Sequence, residues 1–220
     1  MYHLGTDCLI CTVLFSVAPE ATPVPAREPE AAPQPALTIR LYNLAPVGSY
    51  RLRCARRVAT RIFQNAGLEV RWIDAPATSL EAWREDLSVS FAPPAALPDE
   101  IPVRIVARLP GRLYPGALGI ARTAARSGVP ITVFYDRIED IARQHGICPA
   151  VLLGHAIAHE VGHLLLGSAG HASRGLMRPR WDCADFVRPY PLFFSSEERE
   201  RLHSALTRRP DVESLSGRRP

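Results

Sequence analysis

The chain has 220 residues, 47% hydrophobic and 22% charged, and a formal net charge of +4. At roughly 100–200 residues per domain this is one sizeable domain with extensions, and the composition excludes wholesale disorder, collagen and coiled coil. All 26 basic residues are Arg, but they are spread along the chain among Asp and Glu, which argues against a nucleic-acid surface.

Residues 8–18 (CLICTVLFSVA) form an apolar run too short to span a bilayer but suited to the core of a signal peptide. A cleavable signal over residues 1–18 is therefore expected, with a secreted or periplasmic product and no stable membrane span. Asp7 precedes the run and Pro19 follows it, and neither is typical of such a signal. Residues 19–36 hold six Pro and read as a linker. The folded domain is expected over 37–209, and 210–220 reads as a polar tail. Cys54, Cys148 and Cys183 remain beyond the signal, enough for one disulfide and one free thiol.

Within the domain, 37–44 (LTIRLYNL) reads as a strand. Residues 49–66 read as an amphipathic helix ended by Gly67, with Leu52, Ala55, Ala59, Ile62 and Phe63 on its apolar face and the dense run Arg51 to Arg61 on the other. Alternation in 68–74 (LEVRWID) predicts a half-buried strand. Residues 79–87 read as a short helix or loop, 101–109 as a strand, 110–119 as a Gly-rich loop, and 131–135 as a further strand followed by a short helix over 136–145. A long helix is predicted over 149–166, opened by Pro149. The last helix, 195–206, opens on a capping box of Ser195 and Glu198. This order predicts an α+β domain, with helices packed on a mixed, twisted sheet.

The long helix contains His159-Glu160-Val161-Gly162-His163. Spacing i, i+4 puts both imidazoles on one helix face, where they can chelate one Zn²⁺, with Glu160 beside them as general base. A chance match to this pattern in a chain of this composition is on the order of 1%. Its setting is an apolar run, where two His and a Glu are costly as mere core. A catalytic zinc takes a third protein ligand. His171, eight residues after His163, is one candidate. Glu197, Glu198 and Glu200 on the last helix, and Asp182 and Asp185, are the others. His155 lies one turn before His159 on the same face, as a substrate contact, a supporting donor or a hydrogen-bonded core residue.

The segment HEVGHLLLGSAGHASRGLMRP resembles the active-site segment of the metzincin zinc peptidases, H-E-x-x-H-x-x-G-x-x-H followed by a tight turn carrying Met. That resemblance implies a metzincin-like fold, with the active-site helix followed by a Met-turn and a C-terminal helix. It implies one catalytic Zn²⁺ on His159, His163 and His171, Glu160 as catalytic base and acid, and Met177 as the Met-turn residue. Tyr190 is implied as a donor to an oxyanion, as in some relatives, beside its plainer reading as an aromatic packing residue. The implied function is hydrolysis of peptide bonds by a metal-activated water, as an endopeptidase acting on a peptide or protein substrate. It further implies that an edge strand, read here as 131–135, pairs with the substrate. The sequence departs from the pattern at two points: Leu166 stands at the Gly position, and His171 falls two residues late. Two alternatives stay open: a zinc-holding domain without catalysis, and a gluzincin-type peptidase with a downstream Glu as third ligand.

Overall fold

The computed structural model describes residues 35–45, 47–75, 100–108, 116–121, 131–167, 170–187 and 192–207, all within the compact unit Gln34–Pro220. The expected signal peptide, nearly all of the linker, the 79–87 segment, Tyr190 and the polar tail lie outside the described residues.

The fold is α+β. Its elements run β1 (Ala36–Asn43), α1 (Ser49–Asn65), β2 (Glu69–Asp74), β3 (Glu100–Val106), β4 (Gly119–Ile120), β5 (Ile131–Phe134), α2 (Tyr135–His145), α3 (Pro149–Leu166), α4 (Ala184–Val187) and α5 (Ser196–Thr207). The strands form one mixed sheet in the order β2-β1-β3-β5-β4. β2, β1, β3 and β5 run parallel, and β4 runs antiparallel to β5. β3 and β5 are buried along their whole length, as expected for parallel strands covered on both faces.

The helix-facing side of the sheet carries the main core: Leu37, Ile39 and Leu41 of β1, Ile101, Val103 and Ile105 of β3, and Ile131 and Val133 of β5. The residues read as the apolar face of α1 are its buried residues. α1 lies close against α3. A Cβ at Gly154 would stand 2.6 Å from the Ala55 carbonyl oxygen, so the helices could not approach as they do with a larger residue there. On the opposite face Arg104 is buried, and its Nε donates to Thr132 Oγ1 at 2.6 Å. α3 is long and apolar enough to cross a membrane by length and composition, yet 72% of it is buried inside the fold. Its apolar character serves the core.

Helix ends follow the chemistry of their residues. Pro149 opens α3, where a missing N–H costs nothing, and Gly167 ends it at φ 61°. The Ser195 N–H donates to Glu198 Oε2 at 2.7 Å and the Glu198 N–H to Ser195 Oγ at 3.2 Å, which is the expected capping box.

One expectation is corrected, and two features that the sequence left open are settled. Residues 131–134 are not an edge strand, because β5 lies between β3 and β4. The edge on that side is β4, whose two residues fall at and just beyond the end of a segment read as loop; a pair that short carries no periodicity. The short helix α4 was likewise not anticipated. Cys54, Cys148 and Cys183 are all free thiols, so the disulfide that their number allowed is not formed among them.

Candidate metal centre and active site

α3 buries His155, His159, Glu160 and His163. The His159 Nδ1–H donates to the Leu176 carbonyl at 2.8 Å, since a carbonyl only accepts. That bond fixes the tautomer and leaves Nε2 to face outward. His159 Nε2 and His163 Nε2 are 3.0 Å apart. Trp181 Nε1–H donates to the same Leu176 carbonyl at 3.0 Å, and its ring meets His159 edge to face.

The chain after α3 turns back beneath it. Gly175 has φ 73°, and a Cβ there would stand 2.7 Å from the Phe193 carbonyl oxygen, so this position needs glycine on two counts. The Leu176 N–H donates to Phe193 O at 2.9 Å and the Ala172 N–H to Met177 O at 2.8 Å. Met177 is buried, and its sulfur lies 2.7 Å from where a Cβ on Gly162 would be. The methionine thus fills the notch that Gly162 leaves between Val161 and His163.

The same turn brings His171 to the pair on the helix. Its ring centre is 5.4 Å from that of His159 and 4.8 Å from that of His163. One ligand atom from each of the three imidazoles lies within 4.8 Å of the other two. Zn–N bonds of 2.0–2.1 Å in a tetrahedron hold ligand nitrogens roughly 3.3 Å apart. The His159–His163 pair is near that spacing, and His171 is exposed and free to adjust. Three imidazoles are a donor set that suits zinc, so the residues fit the ion. His171 thus reaches the pair from eight residues beyond His163.

Glu160 is buried beside the histidines. It lines, with His159, His163, His171, Gly119 and Trp181, a cleft of about 760 Å³. Burial pushes the Glu160 carboxyl up to about 8 and, as the largest influence, His159 down to about 4 in the protein without its ion. The charges of His163 and His171 push His159 further in the same direction, against its bond to Leu176.

The other candidates are placed elsewhere. His155 has its Nδ1 on Val151 O at 2.8 Å, and its Nε2 accepts the Leu192 N–H at 3.1 Å. Both ring nitrogens are therefore engaged with backbone. Glu198 is held by the capping box, and Glu197 and Glu200 are exposed. Asp185 pairs with Arg178 and accepts the Asp182 N–H at 2.8 Å. Among the described residues, the cluster of metal-ligating side chains is His159, His163 and His171. Gly119 and the Leu176 carbonyl were not anticipated, because each reaches the site through folding rather than spacing. The place of Trp181 beside His159 likewise depends on folding.

No protein-family model matches the chain, and no curated protein matches it. Among solved structures it is similar to an archaemetzincin from Archaeoglobus fulgidus, crystallised with malonate. The identity is 18%, the match covers 75% of this chain and 99% of that one, and the TM-score is 0.45.

The two shifted groups give opposite pH dependences to the stability of the metal-free protein. His159, lowered from 6.5 to about 4, contributes stability that is present above 6.5 and lost as pH falls towards 4. Glu160, raised from 4.5 to about 8, contributes stability that is present below 4.5 and lost as pH rises through 8. Glu160→Gln cannot titrate, so it should gain on the wild type as pH rises across that window. The slope is at most about 1.4 kcal/mol per pH unit for one proton. Urea unfolding of both metal-free proteins across the window measures it, and a constant difference would show that the Glu160 carboxyl is not raised.

Proposed function

We propose that the chain is a zinc-dependent peptidase of metzincin type, with His159, His163 and His171 as ligands, Glu160 as catalytic base and Met177 as the Met-turn residue. The observation that carries this is the convergence of three imidazoles and a buried carboxylate on one wall of an open cleft. Bound there, zinc supplies Lewis-acid polarisation and an acidified water. The chain's own residues do the rest. Glu160 is placed to take the proton from the attacking water and return it to the leaving amine. The Leu176 carbonyl keeps Nδ1 of His159 protonated and its Nε2 free. Among the described residues β4 is the outermost strand on this side of the sheet, and in this reading an extended peptide substrate joins it beside Glu160. The reading of residues 131–135 as the docking strand therefore passes to β4.

The substrate in this reading is a peptide or protein, cleaved internally. Export by the 1–18 signal, to the periplasm or the exterior, is part of the same proposal. A nucleic-acid partner is not part of this reading; within the dense arginine run Arg51 pairs with Glu139 and Arg56 with Asp74.

The test is cleavage of unfolded casein. Activity should vanish on treatment with a zinc chelator and return when zinc is restored, with internal fragments among the products. Equal cleavage by the metal-free protein would overturn the assignment. So would a zinc-loaded protein that cleaves nothing, which would leave a zinc-holding domain without catalysis.

A further inference from the structure

Gly119 is in the edge strand, yet it is not among the glycines with positive φ. Its backbone conformation does not call for glycine, and a glycine inside a strand weakens it. The reason lies in what it faces. A Cβ at Gly119 would stand 2.7 Å from Glu160 Cγ, 2.9 Å from Oε1 and 3.0 Å from Cδ. Those distances are too short for carbon and oxygen in contact, so the side chain of Glu160 occupies the space that a methyl group would take.

β4 cannot simply withdraw. It is paired with β5 through Gly119–Val133 and Ile120–Thr132. The Phe134 N–H donates to Leu118 O at 2.8 Å. Arg137 Nη1 donates to Ala117 O at 2.6 Å, while its guanidinium lies 4.5 Å over the Phe134 ring. The strand is held at both Ala117 and Leu118, immediately before the glycine. The backbone of Glu160 is fixed in α3.

We propose that Gly119 is the positioning residue for Glu160: its bare Cα lets the edge strand lie directly on the carboxylate and sets where its oxygens stand relative to the three histidines. The proposal rests on the reading of Glu160 as the base of the peptidase. Its consequence is that the edge strand and the group that moves the proton are in direct contact, so displacing one displaces the other.

The experiment is a double-mutant cycle on the metal-free full chain, with wild type, Gly119→Ala, Glu160→Ala and the double variant. Gly119→Ala should lower Tm by roughly 2–8 °C in the Glu160 background. In the Glu160→Ala background the loss should disappear, because the added methyl enters space that the carboxylate has left. A Gly119→Ala chain that fails to fold, beside a double variant that folds, supports the proposal equally. The same loss in both backgrounds, no loss in either, or failure of both to fold would overturn it, since the glycine would then serve the strand or nothing.

In the zinc-loaded proteins, Gly119→Ala should lower kcat on the order of 100-fold, more than it changes KM, with zinc content unchanged. A Gly119→Ala enzyme with wild-type kcat would overturn the positioning role. Absence of hydrolysis in the wild type would instead count against the peptidase reading, and the stability cycle would still decide whether Gly119 sets the place of Glu160.

Discussion

Glu160→Gln is expected to bind zinc as the wild type does and to lose about 100- to 10,000-fold in hydrolysis. The amide keeps the shape of the carboxyl, so the contact with Gly119 and the wall of the cleft are preserved. What it loses is the ability to accept a proton. Glu160 is not one of the three clustered imidazole donors, so metal content should not follow activity. Zinc per chain and initial rates on the same preparations give the answer. Full activity in the variant would remove Glu160 from the chemistry. Loss of zinc along with activity would make it a ligand and change the architecture of the site.

His171→Ala is expected to release most of the zinc. Loss of a group that merely orients a ligand costs about 10–100-fold in metal affinity, and loss of a ligand itself should exceed that. The substitution is also the cleaner of the two to interpret. His171 is exposed and outside regular structure, so the fold should be little affected. Metal analysis after dialysis against a buffered zinc concentration, with the wild type alongside, reads the result. Zinc retained in full would shift the third ligand to another residue and take the metzincin reading with it. The groups to examine would then be the exposed Asp182, Glu197 and Glu200, since Glu198 and Asp185 are already committed to a helix cap and an ion pair.

The parts of this protein legible in the sequence are those governed by contacts a few residues apart. Helix α3 was legible because Pro149 and Gly167 mark its ends and its interior is apolar. The pairing of His159 with His163 follows from helix geometry alone, since residues four apart share a face. The buried face of α1 and the capping box of α5 rest on the same short-range rules.

The site also has components that spacing could not deliver. Whether His171 returns to the helix depends on a connection that ends in the turn at Gly175 and on the bonds from Leu176 to Phe193 and from Ala172 to Met177. None of these is a local pattern. His155 looked like a member of the ligand face, but its ring nitrogens are taken by Val151 and Leu192, the latter 37 residues away. Strand order was hidden for a similar reason. Parallel strands pair across long separations, and nothing in 131–134 shows that a two-residue strand from an earlier loop will cover its outer side.

The sequence by itself determined the helix, the two histidines on its face and the glutamate between them, because the 3.6-residue repeat converts spacing directly into direction. Only the tertiary structure decided that a third histidine joins them, that Leu176 orients the first, and that the bare Cα of Gly119 presses on Glu160. Those contacts join residues distant along the chain, and they exist only once the sheet and helices have packed.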